Sequence, residues 1–236
     1  MSRQEFYREK YRAKHPGWRD CLKVYMEKVS NAVGPETRVL DIGCGHADWL
    51  SEVYSRTPHV HGLDADAAAL EANVTAKHKH VGTVDALPFA DASFDLVVSA
   101  FVLEHLENPE ASFREIARVL VSGGRFVFLT PNAWNYNVWL IRAIPETFHD
   151  FFTRRLYGRG ERDTYPKRYR ANTPNKIDAL CAATGLTLEI LTLNGDPTYV
   201  GLNGPLFLAT CLLERLLDLP RLQKYRVHMI GVCRKT

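Results

Sequence analysis

Residues 39 to 50 read VLDIGCGHADWL: an apolar run that closes on an acid at Asp41, a turn carrying Gly43 and Gly45, and the polar start of a helix. A short apolar run ending at glycine has the pattern of a buried strand, and four more follow: HVHGLD (59–64), HVGTVD (80–85), FDLVVSAFVL (94–103) and GRFVFLTP (124–131). Helix-length stretches separate them. Parallel neighbours cannot be joined by a tight turn, so this alternation predicts right-handed crossovers and a parallel sheet. Further strands over Leu186 to Asn194 and Val227 to Cys233 bring the expected total to seven.

The fold expected is therefore α/β, a Rossmann-like doubly wound sheet, mainly parallel, with helical insertions. Trp18, Leu22, Tyr25, Val29 and Val33 recur at helical spacing before Gly34-Pro35 and predict a helix in an N-terminal cap, residues 1–36. The core spans 37–131. Within it Asn108-Pro109 marks a helix start whose apolar face is Phe113, Ile116, Ala117 and Leu120. From 132 to 173 the alternation fails for about 40 residues, too long for an ordinary connection, and this stretch is expected to be an inserted acceptor lid. Residues 174–236 complete the sheet, with a helix near Pro174 to Thr184 and an apolar helix over 206–219. In that last helix Thr210, Glu214 and Asp218 recur every fourth residue as one polar stripe. Most of its surface should be covered, by the insertion in preference to a second subunit or a membrane.

The 236 residues suit one large domain, and 46% hydrophobic with 24% charged residues is ordinary globular composition. A net charge of +3 is too small to imply a nucleic-acid partner. The five cysteines form no C-x-x-C pair, which argues against a disulfide framework or a zinc site and for a reducing cytoplasm. The first residues are polar and do not resemble a secretory signal. The longest apolar stretch carries Glu214, Arg215 and Asp218 and falls short of the roughly 20 residues needed to span a bilayer, so neither export nor membrane residence is expected.

The glycine turn after the first strand suits a small ligand, because Gly43 and Gly45 let the backbone turn sharply and be approached closely. A dinucleotide fingerprint would place its third glycine at position 48, where Asp48 stands. Asp41 and Asp48 would repel a diphosphate, whereas a ligand carrying a sulfonium and an ammonium is well matched to them; charge thus favours S-adenosylmethionine over NAD. Asp64 ends the second strand 19 residues after Gly45, near the roughly 20-residue spacing of a ribose-binding acid. Its neighbour Asp66 reads better as a helix cap. Asp85, at the expected end of the third strand, is placed to accept the adenine amino group.

The motifs VLDIGCG, GLDAD, DALPFADASFDLVVSAFVLEHL and RVLVSGGRFVFLTPN resemble, in order and spacing, those of the type 11 family of class I methyltransferases, over about Val39 to Asn132. That resemblance implies an S-adenosylmethionine-dependent enzyme in which Asp41, Gly43 and Gly45 hold the methionine part, Asp64 and Ala65 the ribose, and Asp85 with Ala86 the adenine. Ser99 and Phe101 would line the pocket near the methionine. Ala47 departs from the family's usual third glycine.

Glu104-His105 pairs a carboxylate with an imidazole. Related enzymes that bind metal here resemble F-x-x-x-E-x-x-E-H, and Phe101 occupies the position of the earlier glutamate, so no metal is assigned. His105, His149 and Tyr165 are the candidate bases. In the insertion, Arg168, Arg170 and Tyr169 are candidates for contacting an anionic or ring-bearing acceptor. Thr130-Pro131-Asn132 lies where methyltransferases acting on adenine or glutamine amino groups resemble [DN]PP[YF], which disfavours nucleic acid. The expected reaction is O-methylation of a small-molecule or glycan acceptor. A non-catalytic S-adenosylmethionine-binding partner protein and an N-methyltransferase of a small amine are the alternatives, and a homodimer is left open.

Overall fold

The structure, a computed structural model, describes residues 3–136, 138, 166–198 and 204–236. In chain order the elements are α1 (Arg3–Lys14), α2 (Cys21–Ser30), β1 (Val39–Ile42), α3 (Ser51–Tyr54), β2 (Val60–Asp64), α4 (Ala67–Ala72), β3 (His78–Val81), β4 (Phe94–Ala100), α5 (Pro109–Val119), β5 (Leu120–Pro131), α6 (Pro174–Ala183), β6 (Leu186–Asn194), α7 (Gly204–Leu216) and β7 (His228–Lys235). The seven strands form one mixed sheet in the order β3-β2-β1-β4-β5-β7-β6. The first five pair in parallel, as the alternation required.

The chain divides into two compact units. The larger comprises Leu22–Pro131, Lys167–Thr192 and Met229–Thr236. Its core is the sheet itself: Val39, Leu40, Val97, Val98 and the run Phe126 to Leu129 are wholly buried. Near-continuous apolar runs are what a parallel sheet buried on both faces demands. Local signals set its helices. Asn108 Oδ1 accepts the Ala111 amide at 3.1 Å and starts α5, with Pro109 at its first position. Thr173 Oγ1 caps α6 in the same way through the Lys176 amide at 3.3 Å. Asp66 caps α4 through the Ala68 and Ala69 amides, the role read for it from the sequence.

The smaller unit comprises Met1–Cys21, Asn132–Pro166 and Leu193–His228. Tyr7, Tyr11 and Phe207 form its apolar cluster, with Trp18 and Cys211 against them; the Tyr7 and Phe207 rings stack at 4.6 Å. The Trp18 indole N–H donates to the Gly195 carbonyl at 2.9 Å. Arg8 pairs with the fully buried Asp196 at 3.0 Å.

Three local expectations change. Trp18 lies outside α2 and packs in the smaller unit, and α1 precedes it where no helix was expected. The third strand is His78–Val81, not 80–85: the Gly82 amide makes the last ladder bond, to the Asp64 carbonyl at 3.0 Å, and Asp85 lies in the loop that follows. The fourth strand stops at Ala100 because Phe101 adopts φ +60°, in the left-handed region.

Candidate active site

Parallel registry brings the carboxyl ends of three strands together, pairing Ile42 with both Leu63 and Ser99. The turn after β1 then folds over β2: the Gly43 amide donates to the Leu63 carbonyl at 2.7 Å and the Gly45 amide to Asp64 Oδ2 at 2.7 Å. Asp64 Oδ1 accepts the Asp66 amide at 2.9 Å. Each oxygen retains a lone pair, and the side chain is half-buried, so Asp64 is held in place and can still accept two ligand hydroxyls. Ala65 is exposed beside it.

Gly43 has φ +67°, and a Cβ there would lie 2.2 Å from Val102 Cγ2; Gly45 has φ +46°. No side chain fits the first position, and the second is strained for any residue but glycine. Asn73, buried at the end of α4, donates to the Gly45 carbonyl at 2.8 Å, and its Oδ1 accepts the Thr75 and Ala76 amides. Sequence reasoning passed over Asn73; its only signal is an Asx-type position in ANVT.

Asp41 accepts the Tyr54 hydroxyl at 2.8 Å. Burial, opposed by that hydrogen bond and reinforced by the nearby Asp64 charge, raises its pKa to about 7. The residue nevertheless keeps some solvent access, so a cation can reach it. Tyr54, on α3, was also missed, because a tyrosine in a short helix gives no pattern to read. Ser99 is fully buried at the end of β4, and its Oγ has no hydrogen-bond partner among the described residues. The Phe101 amide donates to the Leu129 carbonyl at 2.8 Å, and its ring meets Trp49 edge-on at 6.5 Å.

The loop with Asp85 and Ala86, both exposed, is held from α5. Glu115 Oε2 accepts the Leu87 amide at 2.8 Å, while Arg118 donates to the Leu87 and Phe89 carbonyls at 3.0 and 2.7 Å. The Ala86 amide donates to the Thr83 carbonyl at 3.3 Å. The Asp85 carboxylate is exposed on this loop.

A second cluster forms around Glu104, which is buried and whose carboxyl pKa burial raises. Its Oε2 accepts the Thr130 hydroxyl at 3.1 Å, its Oε1 lies 3.9 Å from His105 Nε2, and its carbonyl accepts the Arg168 and Tyr169 amides at 2.7 and 3.1 Å. Asn172 donates to Thr130 Oγ1 at 2.5 Å. Tyr169 has φ +52°, a strained conformation for a bulky residue. Arg168 donates to the Glu107 carboxylate at 2.9 Å and Arg170 to the Glu107 carbonyl at 2.5 Å, so both guanidinium groups serve the protein's own backbone and carboxylate. His149 and Tyr165 lie outside the described residues. Among the described residues no group of three or more His, Cys, Asp or Glu is placed to hold a metal ion.

The residues present fit S-adenosylmethionine: a cradle that side chains would fill, and the carboxylates Asp41, Asp64 and Asp85 spaced along it. Residues 40–128 match the family model of a methyltransferase domain, type 11. Over those residues the chain is similar to that family. The chain is also 35% identical over 121 residues to demethylmenaquinone methyltransferase of Mycobacterium tuberculosis, an alignment covering 48% of this chain and 52% of that protein. The chain thus spans about half the length of the curated relatives it matches. Among solved structures, an S-adenosylmethionine-dependent methyltransferase from Mesorhizobium loti superposes with TM-score 0.62 at 18% identity, covering 92% of this chain and 98% of that one. Geranyl diphosphate C-methyltransferase from Streptomyces coelicolor superposes with TM-score 0.60 at 14% identity, covering 91% and 77%. These two likenesses show the fold alone.

Proposed function

We propose that the chain binds S-adenosylmethionine and transfers its methyl group to a small-molecule acceptor, with oxygen as the expected methylated atom. The observation that carries this reading is the row of carboxylates along a glycine turn whose first glycine leaves no room for a side chain. Asp64 would accept both ribose hydroxyls, Asp85 the adenine amino group beside Ala86, and Asp41 the ammonium of the methionine part. When bound, the cofactor supplies a methyl carbon already activated by its positive sulfur. What remains for the protein is to align a nucleophile and exclude water. His105 is the base we favour for an acceptor hydroxyl, taking the proton on its imidazole, because the buried Glu104 stands beside it. Tyr169 is the residue of the returning segment we assign to acceptor contact. Arg168 and Arg170 we assign to the same face, with Glu107 as their partner when no acceptor competes.

Carbon methylation is the second reading, favoured by the likeness to a C-methyltransferase among the solved neighbours. It would use the same cofactor site and the same base. Calorimetry with S-adenosylmethionine, S-adenosylhomocysteine and NAD tests the cofactor assignment, and binding of NAD in preference to the other two would overturn it. Transfer of a labelled methyl group to fractions of a small-molecule extract, read in native protein and in His105→Ala, tests catalysis. Cofactor binding with no transfer to any fraction would favour the non-catalytic alternative.

A further inference from the structure

Helix α7 turns its polar side inward and its apolar side out. Thr210 and Glu214 are 7% and 4% exposed, whereas Leu208, Leu212 and Leu216 are 61%, 57% and 51% exposed and Leu219, just beyond the helix, is 53% exposed. At about 3.6 residues per turn these leucines fall in one stripe. The inward polar groups are satisfied: the Thr210 hydroxyl donates to the Pro197 carbonyl at 2.7 Å, and Glu214 Oε1 accepts the Tyr136 hydroxyl at 2.9 Å. The inversion therefore costs no unpaired buried group at these two positions, and it leaves a continuous leucine surface outside. The polar stripe expected from the sequence is thus buried at Thr210 and Glu214. Asp218, the third member, is exposed but ion-paired with Arg226.

The rim of the stripe is cationic. Arg215 is exposed next to Leu208 and Leu212 on the helical wheel, and both it and the exposed Lys14 of α1 lie close enough to act on the Cys211 thiol in the neighbouring turn. Phe6, 52% exposed on α1, shares a four-residue spacing with Lys10 and Lys14. Leucine and phenylalanine at the surface beside lysine and arginine match the chemistry of a helix lying in the plane of an anionic membrane interface. No described helix is long and apolar enough to cross a membrane, so the contact would be interfacial. A second copy is the poorer occupant. One stripe on a 13-residue helix offers on the order of a few hundred Å², short of the roughly 800 Å² per partner that a stable interface buries, and cationic rims facing each other would repel.

We propose that the exposed leucine stripe of α7, with its Lys14 and Arg215 rim, docks the protein on an anionic lipid surface. This does not depend on the methyltransferase reading. The test is flotation of the full chain with vesicles of phosphatidylglycerol and phosphatidylcholine, against vesicles of phosphatidylcholine alone. The native chain should float with the anionic vesicles and be released by high salt. The triple variant Leu208→Gln, Leu212→Gln, Leu216→Gln should lower the partition coefficient by about tenfold or more with an unchanged melting temperature. Lys14→Glu with Arg215→Glu should reduce anionic binding to the level seen with neutral vesicles. Absence of flotation, or flotation untouched by both variants, would overturn the proposal. A melting temperature lowered by several degrees in the glutamine variant would mean that the chain's own segment covers the stripe, and a native dimer split by that variant would assign the stripe to a second copy; either also overturns it.

Discussion

Replacing Gly43 with alanine tests the cofactor cradle through its backbone. At φ +67° the new residue sits in the left-handed region, and its Cβ would lie 2.2 Å from Val102 Cγ2 and 3.4 Å from both Cβ and Cγ1 of that side chain. The conformational part should cost about 1–2 kcal/mol, and pushing a methyl into an occupied site another 1–3 kcal/mol or so. Together that is a sizeable share of the roughly 5–15 kcal/mol by which domains are stable. The two parts separate in a double-mutant cycle. Val102→Ala removes both γ carbons and leaves only the ordinary 3.4 Å contact, so adding it to Gly43→Ala should recover about 1–3 kcal/mol while the φ penalty remains. Urea denaturation gives the energies, and calorimetry with S-adenosylmethionine shows whether the turn still accepts ligand. The cradle reading fails if Gly43→Ala is as stable as the native chain and binds as tightly. If the second substitution recovers nothing, the steric account fails even though the position is sensitive.

Asp64→Ala should weaken S-adenosylmethionine binding by about a hundredfold or more with the fold retained by circular dichroism, since two charge-assisted bonds are worth roughly 1.5–3 kcal/mol each. Asp85→Ala should lose less, its carboxylate being exposed and screened, and an equal or larger loss would reverse the ranking. Because burial raises Asp41 to a pKa of about 7, the ligand-free protein holds it protonated below that pH, and the stability this contributes is lost as pH rises towards 7. A cationic ligand needs the ionised form, so affinity should rise about 30-fold between about pH 5.5 and 8 in the one-proton limit; Asp41→Asn should flatten the profile, and an unchanged slope would remove Asp41 from the site. Alanine at Arg168 and Arg170 together should raise amide exchange at Tyr169 and Ala171 while leaving cofactor affinity intact; loss of cofactor binding would show that the segment supports the cofactor cradle instead.

The cofactor end was legible because its parts lie close along the chain and each is marked by residue type. An acid near the end of a strand, glycines where φ is positive and a second acid one crossover later are all local demands; the structure places Asp41 within β1, gives Gly43 and Gly45 positive φ and ends β2 on Asp64. Caps were legible for the same reason at Asn108 and Asp66. What escaped was support that works at a distance. Tyr54 beneath Asp41, Asn73 behind Gly45, and Glu115 with Arg118 behind the Asp85 loop are polar residues on short helices whose partners appear only once the strands are in register. Helix α1 escaped because its buried side is only Tyr7 and Tyr11, a stripe too narrow to stand out in a charged segment.

The acceptor end differs in kind. Glu104, Thr130 and Asn172 converge from the ends of two strands and from the segment that follows the insertion, and the backbone of Arg168 and Tyr169 fastens to the Glu104 carbonyl. A hydrogen-bonded buried carboxyl of this sort is costly to leave half satisfied, which makes the group a rigid unit. Rigidity here has a consequence for chemistry. The imidazole of His105 is on the residue next to Glu104 and 3.9 Å from its carboxyl, so if His105 is the base proposed above, whatever fixes Glu104 would also fix the direction of its approach. On the proposed reading, cofactor specificity would be set by charge types along one crossover, and acceptor geometry by a returning segment whose backbone fastens to Glu104, just beyond β4. The first can vary little without losing the ligand. The second could then differ while the cradle stays the same, and on that reading the cofactor is the more legible of the two from motifs.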